Sequence, residues 1–353
     1  MSEYRVFRPN YLASRFGEMA LQLGAFAMMQ ELGWLESFKG VVAAPENGVV
    51  NKCLLKYFGP WVALAEKGDP VDLPSYNGAE LRFPDGSLVP EDRACVALYK
   101  LWEDQGRGPL LTLTKEHRHF GEKVLRQLGV PDGAWFAVLH VRDKAYLEDD
   151  HADFRNADIE TYLQAVETVT NAGGWIIRLG HSKMTPLPEL TQVVDYAHCD
   201  HRSEEMDVFL LGAARFFLGT TSGPWIVADH FGVPVAQANV TPFSERPFSR
   251  RDIYIPKFFI ESGEPVGFEK ALSLPLRHDH AHSGEVRDNT AEEIVELVEE
   301  MLELLDDKAA YTEEDEDLQG KLNKMANEFE SHGVSSRMGR GFLRRHKHLM
   351  PSV

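Results

Sequence analysis

Apolar and polar positions follow two rhythms along this chain, and the second half shows them most clearly. WFAVLHV, from Trp135, is an apolar run of strand length. ADIETYLQAVETVTNAGG follows with Ile159, Tyr162, Leu163, Val166 and Val169 at helical spacing, and Gly173–Gly174 closes it. WIIRLG and QVVDYAH then read as strands, SEEMDVFLLGAA as a helix, RFFLGT as a strand, GPWIVADHFG as a helix and VPVAQAN as a strand. Strands apolar on both faces and separated by helices predict a parallel sheet covered on both sides.

The first half repeats the alternation less cleanly. YRVFRPN and GVVAAP read as strands, MALQLGAFAMMQELG and NKCLLKYFG as helices, and TKEHRHFGEKVLRQLG as the helix leading out. Between Gly68 and Asp92 the density of Pro, Gly and Asp predicts irregular structure. Near the end, Thr290 and Glu293 fit a capping box ahead of an apolar stripe of Ile294, Leu297, Val298, Met301 and Leu305. The expected class is α/β: two Rossmann-like domains facing a cleft, with a helical C-terminal tail. The expected domains are 1–129, 130–288 and 289–353, the tail crossing back to the first domain.

Composition narrows the function classes. A chain of 353 residues suits two such domains, and no run reaches the ~18 apolar residues of a membrane span. MSEYRVFRPN lacks the pattern of a secretory signal, and three cysteines (Cys53, Cys95, Cys199) without CxxC spacing fit a reducing compartment, so a cytoplasmic protein is expected. A net charge of −18 speaks against a nucleic-acid partner. The acidic run AEEIVELVEEMLELLDD and the basic RMGRGFLRRHKH read most simply as solvated helix faces.

Candidate chemistry collects in three loops that follow predicted strands, where doubly wound sheets bind ligands. His140 and Arg142 share one side of the first, and a guanidinium there could grip a diphosphate or pair with a nearby acid. The second holds Arg178, Gly180, His181, Ser182 and Lys183; Arg178 is read as a ligand contact or a structural ion-pair partner. The third, Gly219-Thr220-Thr221-Ser222-Gly223-Pro224, offers backbone amides at a helix start, with Pro224 suited to the first turn. Neither GxGxxG, GxxxxGK[ST] nor GxSxG occurs, which disfavours dehydrogenases, P-loop NTPases and α/β-hydrolases. His278, His280 and His282 alternate, but in a loop-like context, and Asp315-Glu316-Asp317 is a faint echo of a DxD motif in a tail expected to be exposed; no functional metal is expected.

The series HVR, GGWIIRLG, MDVFLLGAARFFLGTTSG and ADHFGVPVAQAN, over roughly residues 130 to 240, resembles a family of bacterial glycosyltransferases. It is also distantly similar to the GT-B fucosyltransferases that use GDP-fucose. That resemblance implies that Arg142, in an HxR motif with His140, binds the donor diphosphate and that Gly219–Gly223 helps hold the phosphates. It further implies an acceptor-binding first domain and metal-independent chemistry without a cofactor. HVRDKAY departs from the HxRRGD-like pattern of bacterial relatives, which leaves sugar and nucleotide base open.

The expected activity is that of a hexosyl- or deoxyhexosyl-transferase working on a nucleotide-sugar donor, GDP-linked by the resemblance, with a glycan, lipid-linked or protein acceptor. Arg142 would stabilise the leaving group, and Glu18, in a loop expected to face the cleft, is the first candidate for general base, with Asp143 second. Either acid could equally be a cap or an ion-pair partner. Asp207 is placed to accept from a ribose hydroxyl, though a carboxylate at a helix start needs no ligand. A sugar-nucleotide epimerase and a non-catalytic nucleotide-sugar-binding protein are the competing classes.

Overall fold

The computed structural model describes residues 6–7, 15–34, 40–43, 49–65, 75–76, 80–82, 88–144, 153–274, 285–329 and 335–351. Its centre is a seven-stranded, wholly parallel sheet built from β7 (Phe136–His140), β8 (Trp175–Arg178), β9 (Val193–Val194), β10 (Phe216–Gly219), β11 (Val235–Val240), β12 (Ile253–Pro256) and β16 (Arg337–Met338). The strands lie in the order β9-β8-β7-β10-β11-β12-β16. Numbered within the sheet this is 3-2-1-4-5-6-7, the Rossmann order extended by one strand, and its direction of winding reverses between β7 and β10. A smaller parallel sheet, β3-β2-β1-β4, is formed by β1 (Val6–Phe7), β2 (Gly40–Ala43), β3 (Val62–Ala65) and β4 (Ser75–Tyr76). The α/β class expected from the alternation is therefore present.

Side-chain alternation assigns each face of the large sheet its own core. Phe136, Val138, Ile177, Phe217 and Val235 face one cluster, which contains α4 (Lys115–Gln127), α6 (Glu204–Ala213) and α7 (Pro224–His230). Ala137, Leu139, Ile176, Leu218 and Ala236 face the other, with α5 (Leu163–Asn171), α9 (Ala291–Leu305), α10 (Glu313–Phe329) and α11 (Arg340–Arg345). The first-half helices α1 (Phe16–Glu31), α2 (Lys52–Tyr57) and α3 (Glu91–Asp104) join the first cluster, so the two halves share one apolar core.

Helix α1 lies on α7, and two contacts allow only glycine. A Cβ on Gly17 would stand 2.2 Å from Gly223 Cα, and one on Gly24 would stand 2.2 Å from His230 Nε2. His230 fastens the joint, its Nε2–H donating to Ala20 O at 2.9 Å while Nδ1 accepts from the Tyr99 hydroxyl of α3 at 2.8 Å. Burial pushes this imidazole down to about 4, so it stays neutral. The backbone of α1 is thereby held against α7.

The charged C-terminal segments pair with each other instead of facing solvent separately. Arg344 binds Asp315, Arg345 binds Glu296, Arg340 binds Glu303, and His346 Nε2 stands 2.6 Å from Glu293. Asp315 is buried, contrary to the exposure expected of DED. Its burial would raise the carboxyl, but donation from Arg344 and Thr312 draws it down to about 2. In the described tail, β16 extends the edge of the large sheet beside β12, and α10 and α11 pack into its second core. The sequence reading passed over α3 and over the strand pair DIYIPKFFIE, which gives β12 and β13 (Phe258–Glu261). Within the Gly68–Asp92 stretch the structure has β4, β5 (Glu80–Arg82) and β6 (Leu88–Pro90). His278, His280 and His282 lie outside the described residues.

At the amino edge of the large sheet, Glu103, Asp229 and Asp252 line a cavity of about 220 Å³. Burial, with Glu103 close by, pushes the Asp229 carboxyl up to about 7, and burial with Asp229 pushes Asp252 well above the carboxylate range. A carboxyl raised by folding stabilises the fold when protonated. That contribution is full below about 4 and fades as the pH climbs through about 7. Melting temperature is therefore expected to fall between pH 5 and pH 8, and Asp229→Asn to flatten the slope by about 2 °C. Thermal melts at the two pH values check this, and identical slopes in both proteins would exclude the cluster as the cause.

Candidate functional site

The winding reversal places the carboxyl ends of β7 and β10 side by side, with His140 in register opposite Gly219. Such a switch point opens a crevice where neighbouring connections diverge to opposite faces. Two of the three predicted loops leave from these strand ends. They are stitched together, since Thr220 N donates to His140 O at 3.1 Å and Arg142 N donates to Thr220 Oγ1 at 3.0 Å.

The threonines of the third loop act as fasteners. Thr220 and Thr221 are 0% and 1% exposed, and the Thr221 hydroxyl oxygen accepts from Thr241 N at 3.1 Å. Ser222 Oγ donates to Thr220 O at 3.2 Å. What the loop leaves unused is its backbone: the amides of Thr221, Ser222 and Gly223 make no hydrogen bond among the described residues. Gly223 begins α7 without a side-chain cap, and Pro224 takes the first turn as expected. Helix α1 also starts uncapped, at Arg15, and the amides of Gly17 and Glu18 are equally unused. Because Gly17 rests on Gly223, two bare helix starts meet at one point. Five N–H groups and two positive helix ends are thus gathered beside the switch point, a setting that favours an anion. Glu18, in the first turn of α1, stands at the same point.

His140 contributes differently from the expectation. Its Nδ1 lies 3.0 Å from Leu179 O, a carbonyl that can only accept, so the proton sits on Nδ1 and Nε2 is left as an acceptor. Burial pushes the ring down to about 4 and keeps it neutral. This imidazole suits a ligand hydroxyl better than a phosphate oxygen. Arg142 is half-buried at the rim, its Nε donating to Asn156 Oδ1 at 3.0 Å while its carbonyl accepts from Ala157 N.

The second loop borders the crevice. Gly180, His181 and Ser182 form a turn closed by Met184, whose sulfur accepts from His181 N at 3.2 Å. Asp143 Oδ2 ties that turn to the first loop through Thr185 N at 3.1 Å. Arg178 does not join the group. It is 1% exposed and donates to Asp195 Oδ1 and Thr185 O, both at 3.0 Å, which is the structural ion-pair reading of this residue. Asp207 is also apart, since its Oδ1 accepts from the Tyr196 hydroxyl at 2.8 Å and burial pushes its carboxyl up to about 6. Among the described residues no contact links Asp207 to His140 or Gly223.

Sequence reasoning missed the segment that bridges the strand ends. Asn156 holds Arg142, and its own carbonyl accepts from Lys257 Nζ at 2.5 Å; Lys257, just beyond β12, is buried and paired with Asp288 at 2.7 Å. Residues 153–157 therefore run across the carboxyl edge from β7 towards β12. DFRNA carries no strand-end or helix-start signature, so only the folded contacts reveal it. Among the described residues no group of three or more His, Cys, Asp or Glu is placed to hold a metal, and no helix is long and apolar enough to cross a membrane.

No protein-family model and no curated protein matches this chain. Among solved structures it is similar to the ADP-heptose lipopolysaccharide heptosyltransferase II of E. coli, with TM-score 0.49 and 12% identity over 87% of this chain and 100% of that one. It is similar to the iron-containing dodecameric glycosyltransferase TibC of enterotoxigenic E. coli, with TM-score 0.47 and 12% identity over 87% and 77% of the two chains. A third likeness is to a glycosyl transferase of family 9 from Veillonella parvula, with TM-score 0.43 and 10% identity over 72% and 86%.

Proposed function

We propose that this protein transfers a sugar from a nucleotide-sugar donor to an acceptor hydroxyl or similar nucleophile, with inversion and without a metal. The observation that carries the reading is the meeting of two uncapped helix starts at Gly17 and Gly223, over the switch point of a Rossmann-ordered sheet. The donor pyrophosphate would lie on these amides, with Arg142 at the rim. As the bond from the anomeric carbon to the phosphate oxygen breaks, its electron pair passes to the diphosphate, and the preorganised N–H groups and the guanidinium stabilise that charge. Glu18 would take the proton of the acceptor hydroxyl as the new glycosidic bond forms. Neutral His140 would accept from a donor hydroxyl through Nε2.

Incubation with ADP-, GDP- and UDP-sugars tests the reading. Released nucleoside diphosphate with a glycosylated product supports transfer. An altered but intact donor supports epimerisation, and binding without change supports a non-catalytic binder. Arg142→Ala is expected to lower turnover by roughly two to three orders of magnitude while leaving the circular-dichroism spectrum nearly intact. Turnover at the wild-type rate would remove Arg142 from the chemistry.

A further inference from the structure

Arg155 is an arginine with a buried head and almost nothing to hold. It is 8% exposed, it makes no hydrogen bond among the described residues, and its Nε is enclosed without a partner there. Its one ion pair is with Glu245 Oε2, at 3.5 Å from Nη1, too long for a good hydrogen bond. Arg178, more enclosed still and likewise unpartnered at Nε, donates two hydrogen bonds through its terminal nitrogens. A guanidinium has five N–H donors; in Arg155 the Nε donor is enclosed without an acceptor and Nη1 has only the long Glu245 contact, an arrangement that is costly unless an acceptor arrives. Position says where that acceptor would come from. Asn156, the next residue, holds Arg142 at the end of β7, and Glu245 lies on the turn after β11. Arg155 thus spans the two strand ends that flank β10, the strand from which Gly219–Gly223 emerges.

We propose that Arg155 binds an oxyanion of the phosphate type carried by a substrate, in place of its long contact with Glu245. The inference rests on the reading that this carboxyl edge takes a nucleotide-sugar. Two oxygens of a phosphate can engage two guanidinium N–H groups at once, which the Glu245 carboxylate at its present distance does not. The group is either the donor diphosphate or a phosphate on the acceptor.

Calorimetric titration with inorganic pyrophosphate, and with inorganic phosphate in the presence of saturating nucleoside diphosphate, tests this on the full chain. Arg155→Ala is expected to weaken one of the two by roughly ten- to hundred-fold. Loss of pyrophosphate affinity assigns the residue to the donor. Loss confined to phosphate on the nucleoside-diphosphate complex assigns it to the acceptor. Glu245→Gln removes a competing anion and is expected to tighten the same ligand by about threefold. A structural ion pair would send both variants in the same direction, so opposite signs are required. Arg155→Lys, which keeps the charge but not the planar fork, should fall between, and it covers the case in which the alanine variant does not fold. Unchanged titrations in the variants of a protein that binds pyrophosphate overturn this proposal alone. A wild-type protein that binds neither pyrophosphate nor nucleoside diphosphate overturns the proposed function with it.

Discussion

Glu18→Gln is expected to reduce turnover by about two to four orders of magnitude while leaving donor binding intact or slightly stronger. The substitution keeps the shape of the side chain and removes its ability to take a proton. It also removes a negative charge from a point where five amides and two helix ends face an anion, so nucleoside-diphosphate affinity should rise rather than fall. The loss of a first-turn carboxylate costs α1 only about 0.3–1 kcal/mol, too little to unfold the protein. Single-turnover measurement with a competent donor, alongside titration of the nucleoside diphosphate, separates the two effects. Wild-type turnover in the variant would transfer the role of base to another group, with Asp143 the next candidate.

The second large effect is expected at Gly17→Ala. Helix propensity favours alanine here, so an isolated helix would gain from the change. In the folded chain the added methyl would lie 2.2 Å from Gly223 Cα, a backbone atom that cannot swing aside. Relief requires α1 to lift from α7, straining the neighbouring Gly24–His230 contact and the His230 link to Ala20. Overpacking of this kind costs about 1–3 kcal/mol. The functional loss should be greater, since separating the helix starts breaks up the convergent amides; pyrophosphate affinity is expected to drop more than roughly tenfold. Denaturant unfolding and pyrophosphate titration measure the two parts. A variant with native stability and native affinity would show that the two helix starts do not act together.

The large sheet was legible because buried parallel strands write themselves as unbroken apolar runs, as in FAVLH and FFLG, between helices with one apolar stripe. The capping box at Thr290 was equally plain, for its two partners lie three residues apart. What escaped depended on distant partners. Arg178 and Arg142 look alike in sequence, each at a strand end, yet Asp195 occupies one and Asn156 holds the other. Nothing local discloses that the hydroxyl oxygens of Thr220 and Thr221 accept from Arg142 N and Thr241 N. The acidic and basic runs near the end were each read as surface, since their pairing spans gaps such as Asp315 to Arg344. Glu18 was flagged from its loop. Only the fold shows that the glycine beside it presses on Gly223, some two hundred positions along the chain.

That glycine contact makes rigidity conditional. Like ends of two dipoles, about half a positive charge each, are pressed together there, and the first-turn carboxylate of Glu18 offsets their repulsion only in part. An occupant carrying negative charge would therefore act as mortar between the two halves of the molecule. Mass action then makes heat resistance a gauge of occupancy, with each tenfold rise in ligand above its dissociation constant adding about 1.4 kcal/mol. A melting curve run against a library of phosphorylated metabolites could thus reveal the natural occupant before any reaction has been observed.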